Sequence, residues 1–353
     1  MNWSRPWLRP AARLAFPERE SIPPAIEISG RNVGIRHLLS MIHGQRTGGT
    51  LFQRLKPSTT RAILLALASH LFAADPARAG AALDRIQATG VVRIAYRSSS
   101  VPFSYVVDGH PIGYSIDLCR DFVAAIGKFI GARAPLRIDF IEVTSANRIE
   151  TMASGGADLE CESTTNTVER RKRVAFSIPH YVTGARFAVR ADSQMQQMHD
   201  FADKRIVSTA GTSPLKAVQG VNEMHGLGMQ IHEVADHSQG LEAVEHGSAD
   251  AFVMDEVLLA GLISTRPQPP RVKIVGKYLT VEALAIVLPH DDAALKEVVD
   301  TEMKQLIRAG TAAKMLNRWF MEPIPPRGSS IGLPMPYLLR DFWMYPTDWI
   351  LEN

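Results

Sequence analysis

The stretch ECESTTNTVER, residues 160–170, decides both the fold and the expected site of this chain. It follows a short, mostly apolar run at 157–159 that is typical of the end of a strand, and Val168 begins a predicted helical turn. The stretch is therefore predicted to be a corner from strand to loop to helix, rich in hydroxyl groups and ending in Arg170. Such a corner suits an anion, because a helix N-terminus carries positive potential and a guanidinium group pairs with a carboxylate through two parallel hydrogen bonds. Taken alone, it is equally typical of a capped turn, since Ser and Thr are common helix N-caps.

The composition of the chain is that of a globular protein. It has 353 residues, of which 46% are hydrophobic and 21% are charged. This length is sufficient for two domains with cores of their own. The net charge is +3, and no basic run alternates with aromatic residues, so we expect no nucleic-acid partner.

The N-terminal part of the chain contains a predicted export signal. Basic residues precede an apolar run at 62–74, and a small-x-small cleavage site follows it and ends at Ala79. The apolar run is shorter than the roughly 20 residues that a membrane span needs, so residues 54–79 are predicted to be a secretory signal peptide cleaved after Ala79. A buried helix is the alternative. Residues 1–53 are expected to be an N-terminal extension that is disordered or not translated. The true start of translation is expected to lie downstream of Met1, and Met41 is the obvious candidate.

The chain has two cysteines, Cys119 and Cys161. An exported chain enters an oxidising compartment, and an even number of cysteines permits one disulfide. Two buried free thiols are the alternative. We expect the disulfide.

Strand and helix patterns alternate along the chain from about residue 83. Strands are predicted at residues 91–96, 136–141, 205–207, 230–234, 251–254 and 282–288. The tetrapeptide GGAD at 155–158 ends a helix and begins a strand, and GSAD at 247–250 repeats this pattern. The repetition indicates two lobes of similar α/β architecture. In such open sheets, ligands bind beyond the carboxyl ends of the strands.

Polar residues of a particular kind recur where these strands end. They are Arg97, Ser145, Arg148, Ser163, Thr165, Arg170, Ser213, His237 and Asp255. Three arginines and a histidine thus face one clear acid, a set that suits a ligand with two carboxylates and one ammonium group. For any single residue a solvated charge is the simpler interpretation, but a scatter of surface charges would not recur at successive strand ends.

Short motifs spread along the chain carry a resemblance to a known family. They are RSSSVPFSY at 97–105, GYS at 113–115, TSANRI at 144–149, STTNTVER at 163–170, MD at 254–255, LLAG at 258–261, WF at 319–320 and PIPP at 323–326. Together they resemble the periplasmic glutamate/aspartate-binding proteins of ABC transporters over residues 83–326. The resemblance implies the type II periplasmic binding protein fold, an α/β fold of two lobes that are each a mixed sheet flanked by helices and are joined by a two-strand hinge.

The resemblance also implies a division of the chain into lobes. Residues 80–182 and 283–326 would form the first lobe, and residues 183–282 would form the second. Residues 327–353 would form a tail that packs on the body.

Three groups of ligand-binding residues follow from the resemblance. The α-carboxylate of the ligand would be held by Arg170, Thr165 and Ser213. The ammonium group would be held by Asp255 and Ser163. The side-chain carboxylate would be surrounded by Arg97, Ser145, Arg148 and His237.

Two positions depart from the pattern of the family. Ser213 stands where the family often has Thr, a change that keeps the hydroxyl group. Glu162 stands where the family usually has Gly, and it adds a negative charge beside an expected anion site. Because side chains alternate along an extended chain, we predict that Glu162 points away from the cleft if Ser163 points into it. The rival prediction is that Glu162 enters the cleft and opposes an acidic ligand.

The function that the resemblance implies is capture of L-glutamate or L-aspartate between the lobes and delivery to an ABC permease in the inner membrane. The lobes would close about a hinge near residues 181–189 and 277–285. We expect a periplasmic monomer that is not an enzyme and needs no cofactor. One alternative is a periplasmic enzyme on the same fold, similar to the cyclohexadienyl dehydratases, with Glu162 or His237 as its general acid or base. A sensor of acidic amino acids is the other alternative.

Overall fold

The computed structural model describes residues 80–349. The predicted extension at 1–53 and the predicted signal peptide at 54–79 lie outside these residues. Within the described part of the chain, no helix has both the length and the apolar character that a membrane crossing requires.

The elements are numbered in chain order. Up to residue 183 they are α1 (Ala81–Thr89), β1 (Val91–Tyr96), β2 (Ser99–Ser100), β3 (Ser104–Val107), β4 (His110–Ile112), α2 (Tyr114–Phe129), β5 (Arg137–Glu142), α3 (Arg148–Ala153), β6 (Leu159–Glu160), α4 (Val168–Arg171), β7 (Val174–Phe176) and β8 (Tyr181–Thr183). The next part holds β9 (Ala185–Arg190), a 3-10 helix (Met198–Phe201), β10 (Arg205–Thr209), α5 (Ser213–His225), β11 (Gln230–Val234), α6 (His237–Glu245), β12 (Ala251–Asp255), α7 (Glu256–Ser264) and β13 (Val272–Val275). The last part holds β14 (Glu282–Leu284), β15 (Val287–Pro289), α8 (Ala293–Arg308), α9 (Thr311–Met321) and α10 (Tyr337–Met344).

The first sheet has the strand order β5-β1-β6-β15-β7. Strand β1 is parallel to β5 and β6, whereas β15 is antiparallel to β6 and β7. Helix α2 packs against α8 and α9, and its residues Leu118, Phe122 and Ile126 are fully buried. Their spacing of four places them on one face of the helix, which explains why the sequence pattern predicted this helix.

The second sheet has the strand order β11-β10-β12-β9-β13. Strand β10 is parallel to β11 and β12, and β9 is antiparallel to β12 and β13. All of β12 is buried, and helices α5, α6 and α7 contact it. Strand β12, with apolar residues throughout 251–254, is typical of a strand covered on both faces. Its last residue, Asp255, is therefore an acid delivered to the end of a buried strand.

Two short strands lie between the two sheets. Strands β8 and β14 pair antiparallel, with Tyr181 opposite Leu284. The prediction of one long strand over 282–288 is wrong, because β14 pairs with β8 whereas β15 belongs to the first sheet. Between them, the N–H group of Ala285 donates to the carbonyl of Thr164 at 3.0 Å. This bond to the hydroxyl-rich corner replaces a ladder bond, so the chain changes partner at this point.

A disulfide joins Cys119 on α2 to Cys161, the residue after β6. The two Cα atoms are 6.3 Å apart, and both residues are fully buried. The predicted disulfide is confirmed. It fixes the start of the hydroxyl-rich corner to helix α2.

The C-terminal helix α10 lies against the strand pair. It buries Leu339 and Trp343, and the indole N–H of Trp343 donates to the carbonyl of Pro179 at 3.0 Å. Beyond the helix, the side chain of Asn166 donates to the carbonyl of Asp348 at 3.3 Å. The segment after α9 thus contacts both β8 and the corner.

Candidate ligand-binding site

The predicted site residues come from both halves of the molecule. The half built on the first sheet contributes Arg97, Ser145, Arg148, Ser163, Thr165 and Arg170. The half built on the second sheet contributes Ser213, His237 and Asp255. Ser213 and His237 begin helices α5 and α6, and Asp255 ends β12. Hydrogen bonds, ion pairs and nearby charges connect these residues across the two halves.

The residues predicted for the α-carboxylate meet at the N-terminus of α5. Thr165 Oγ1 lies 2.8 Å from Ser213 Oγ. Arg170 donates to the carbonyl of Thr165 at 2.8 Å and to the carbonyl of Gly211 at 3.0 Å. Gly211 has a φ of 75°, and a Cβ atom there would lie 2.7 Å from the carbonyl of Ser145, so the two halves touch where no side chain fits. A guanidinium group, two hydroxyls and a helix N-terminus can together hold a carboxylate.

Asp255 is the buried acid of the site. It is 3% exposed, and its Oδ1 has no hydrogen-bond partner among residues 80–349. Burial in the first place, and the carboxylate of Glu282 in the second, raise the pKa of Asp255 well above its ordinary value, whereas Arg148 and Arg170 lower it. A cation placed against a buried carboxylate favours its charged form. Asp255 can therefore accept an ammonium group.

Two buried arginines form a second cationic region. Arg97 is 1% exposed and Arg148 is 3% exposed, and Arg97 donates to the hydroxyl of Ser145. Burial lowers the pKa of both guanidinium groups, and for Arg148 the next cause is the charge of Arg170. Buried guanidinium groups need anionic or polar partners. This pair can therefore interact with a second carboxylate.

His237 lies close to the same arginines. Its Nδ1 is 2.8 Å from Oγ1 of Thr209, and the residue is buried. Burial, followed by the charges of Arg97 and Arg148, lowers the pKa of His237 well below its ordinary value. The imidazole is therefore neutral at neutral pH, and it offers hydrogen bonding without positive charge.

Glu162 is fully buried and points into this cationic region. Its carboxylate forms an ion pair with Arg148, and its Oε2 lies 3.9 Å from Nη1 of Arg97. The hydroxyl of Ser163 donates to the same Oε2 at 3.4 Å. The prediction that Glu162 points away from the cleft is wrong. The physical reason is that β6 ends at Glu160, so the alternation of an extended chain no longer determines where the next side chains point.

Asp236 also belongs to this region, and sequence reasoning missed it. Its Oδ2 lies 3.4 Å from Nη2 of Arg97, and it accepts a hydrogen bond from the hydroxyl of Ser99. Its Oδ1 accepts from the N–H group of Ser238 at 2.8 Å, as an N-cap residue does. The sequence could have marked Asp236 only as an N-cap, because an Asp at a strand end directly before a helix is typical of one, and this pattern does not indicate the contact with Arg97.

The protein consists of two α/β halves, and charged side chains from both halves meet between them. This is the arrangement of a solute-binding protein, and comparisons with known proteins agree with it. The chain belongs to family 3 of the bacterial extracellular solute-binding proteins, whose family model matches residues 92–322.

Relatives of the chain bear names that describe their ligands. The glutamate/aspartate import solute-binding protein of Escherichia coli (strain K12) is 35% identical over 298 residues, which cover 84% of this chain and 98% of the relative. The L-glutamate/L-aspartate-binding protein of Pseudomonas aeruginosa is 34% identical over 303 residues, which cover 85% of this chain and 99% of the relative. Among solved structures, a mutant of ArgBP from T. maritima has a TM-score of 0.61 at 22% identity and covers 68% of this chain and 100% of its own, a likeness that shows the fold alone.

These comparisons confirm the predicted family and the two-lobed α/β fold. They also confirm the predicted class of protein, because the two curated relatives are solute-binding proteins and not enzymes.

Proposed function

We propose that this protein captures L-glutamate or L-aspartate in the cleft between its two halves and delivers it to an ABC permease. The observation that carries the proposal is the arrangement of charge. Asp255, whose Oδ1 is buried without a hydrogen-bond partner among residues 80–349, lies close to Arg148 and Arg170, which come from the opposite half. Two arginine regions and one acid match two carboxylates and one ammonium group. The names of the two relatives support the same class of ligand.

Each group of the ligand has a proposed partner. The α-carboxylate binds Arg170 and the hydroxyls of Thr165 and Ser213, because these donors converge on the N-terminus of α5. The ammonium group binds Asp255, a buried carboxylate whose Oδ1 has no hydrogen-bond partner among residues 80–349, because a cation placed there favours its charged form. The side-chain carboxylate binds Arg148, a buried arginine of the second cationic region.

The remaining residues of the predicted site are proposed to contact the ammonium group and the side-chain carboxylate of the ligand. Ser163 is proposed to assist Asp255 at the ammonium group. The side-chain carboxylate is further surrounded by Arg97, Ser145 and His237. A neutral His237 accompanies the arginines without adding to their charge.

Ligand capture is proposed to involve closure of two lobes, residues 80–182 with 283–326 and residues 183–282. The pair β8 and β14 connects them and is the proposed hinge. Contacts such as Thr165 with Ser213 and Ser99 with Asp236 join the lobes directly. These contacts are expected to break on opening, so they contribute to the free energy of the closed form.

The proposed place of action is the periplasm. Residues 54–79 have the order of a secretory signal peptide, and the family is named for extracellular proteins. The disulfide between Cys119 and Cys161 suits an oxidising compartment. We propose a monomer whose partner is the permease, and we propose that residues 1–53 are not part of the exported protein.

The test of this function is calorimetry of the mature protein with a panel of L-amino acids. L-glutamate or L-aspartate should bind, and L-lysine should not, because a second ammonium group would face buried guanidinium groups. Mass spectrometry after incubation with L-glutamate and with prephenate should recover both compounds unchanged. Tight binding of L-lysine without an acidic-ligand signal, or turnover of either compound, would overturn the proposal.

A further inference from the structure

The position of Glu162 is unusual for a site that binds an anion. The side chain is 0% exposed, and its carboxylate pairs with Arg148. Its Oε2 also accepts from the hydroxyl of Ser100 at 3.2 Å, and its Oε1 accepts from the hydroxyl of Thr164 at 2.8 Å. Glu162 therefore already uses the donors that a ligand carboxylate would need in this part of the site.

The charges of this region balance without a ligand. The guanidinium groups of Arg97 and Arg148 face two carboxylates, those of Glu162 and Asp236. Glu160 is a further buried acid, which shares the hydroxyl of Thr164 with Glu162. Burial raises the pKa of Glu160, which favours its uncharged form and leaves the balance of charge unchanged. A ligand side chain with its own carboxylate would thus bring a like charge into a region that is already neutral, and like charges disfavour one another strongly when both are removed from water.

The backbone holds Glu162 in this place. The preceding residue, Cys161, is bonded to Cys119 on α2, and the hydroxyl of Ser115 on the same helix donates to the carbonyl of Glu162 at 2.8 Å. The carboxylate can therefore leave Arg148 by rotation of the side chain, but not by movement of the loop backbone. Displacing the carboxylate means breaking the ion pair and the hydrogen bonds from Ser100 and Thr164.

We propose that Glu162 is a specificity-determining residue that competes with the ligand side chain for Arg148. This inference rests on the proposed function, because it concerns the side-chain end of the same site. The competition weakens binding of L-glutamate and L-aspartate, whose side chains are charged. It affects L-glutamine much less, because an amide can donate to a carboxylate and adds no charge. Glu162 therefore reduces the difference in affinity between ligands with an acidic side chain and ligands with an amide side chain.

The test compares L-glutamate and L-glutamine in the Glu162→Gln variant of the full-length mature protein. Glutamine at 162 keeps the volume and removes the charge. Its amide oxygen can accept from Thr164 and face Arg148 as Oε1 does, whereas its NH2 group would donate to the hydroxyl of Ser100. Calorimetry should show L-glutamate binding tighter than in the parent by about tenfold or more, with L-glutamine affinity changed by less than about threefold. A purely structural role would instead change both affinities in the same direction.

Control variants separate this effect from general changes in charge or folding. Glu150→Gln removes the same charge from α3 at an exposed site paired with Arg173, and it should leave both affinities within about twofold of the parent. Glu162→Gly removes the whole side chain, and it should also tighten L-glutamate binding. Thermal unfolding of each variant shows that it is folded before its affinity is compared.

Several results would overturn the inference. One is an L-glutamate affinity in Glu162→Gln and Glu162→Gly that stays within about threefold of the parent, and another is an equal rise for both ligands. If the parent binds L-glutamate and these results appear, the proposed function stands and only the role of Glu162 is refuted. If neither the parent nor any variant binds an α-amino acid, the proposed function fails and this inference fails with it.

Discussion

Replacing Asp255 with asparagine is expected to change ligand affinity and protein stability in opposite directions. Asparagine is close in size to aspartate but carries no charge. In the ligand-free protein, Oδ1 of Asp255 is buried without a hydrogen-bond partner among the described residues. We therefore expect Asp255→Asn to stabilise the ligand-free protein and, at the same time, to weaken its binding of L-glutamate.

The expected changes in stability and affinity follow from the buried charge of Asp255. Asparagine is also polar, so what the substitution removes is the buried charge, and each pH unit by which folding raises the pKa of a carboxyl costs the ionised form about 1.4 kcal/mol. The variant should therefore raise the free energy of unfolding of the ligand-free protein by at least about that amount at neutral pH. Removing one partner of a buried ion pair costs about 3–5 kcal/mol, so the dissociation constant for L-glutamate should rise by about a hundredfold to a few thousandfold.

The stability gain should also depend on pH. Folding raises the pKa of Asp255. The contribution of Asp255 to the free energy of unfolding is therefore fully present below its unfolded pKa of about 4, and it is lost as the pH rises through its folded pKa. The parent should therefore lose stability relative to Asp255→Asn as the pH rises above about 4. A bound ammonium group reverses this, because it favours the charged carboxylate.

The assay is thermal and denaturant unfolding of both proteins across this pH range, with and without L-glutamate, combined with calorimetry. The parent should gain stability from L-glutamate, and the variant should gain little at the same concentration. The reasoning is refuted if ligand-free Asp255→Asn is less stable than the parent at neutral pH, or if both proteins bind L-glutamate equally.

Three further predictions concern the arginines and the disulfide. Arg170→Ala should abolish calorimetric binding of every α-amino acid, because its guanidinium group faces the common α-carboxylate, and parent-like L-glutamate binding would contradict that role. Arg148→Ala should lower the free energy of unfolding by about 3–5 kcal/mol, because it leaves Glu162 buried without its partner; adding Glu162→Gln should restore most of this loss in a urea melt, and no restoration would argue against the pair. Reduction of the Cys119–Cys161 bond should lower the free energy of unfolding by about 2–4 kcal/mol, whereas an unchanged urea midpoint or free thiols in the unreduced, unfolded protein would count against the bond.

Much of the fold could be predicted from the sequence because periodicity determines it locally. The spacing of Leu118, Phe122 and Ile126 specifies one buried face of α2, and the continuous apolar run at 251–254 specifies a strand covered on both faces. The run at 282–288 has the same apolar character, yet it forms two strands in different sheets. Hydrophobicity shows that a segment is buried, but pairing partners are set by distant parts of the chain.

The candidate site could be predicted as a list of residue types at strand ends, but not as a set of contacts. The side-chain direction of Glu162 depends on where β6 ends and on the bond at Cys161, and neither is visible in a window of sequence. Asp236 was missed for a similar reason, since its contact with Arg97 spans the two halves of the molecule. Contacts of this kind arise only when the halves are brought together.

The most direct test of the central claim is a crystal structure of the mature protein grown with L-glutamate. It should show one ligand between the lobes, with its α-carboxylate on Arg170, its ammonium group on Asp255 and its side-chain carboxylate on Arg148, each within about 2.7–3.0 Å. The carboxylate of Glu162 should then be displaced from Arg148 or share it. A ligand bound outside the cleft, or bound in the cleft without contact to Arg170 and Asp255, would contradict the account.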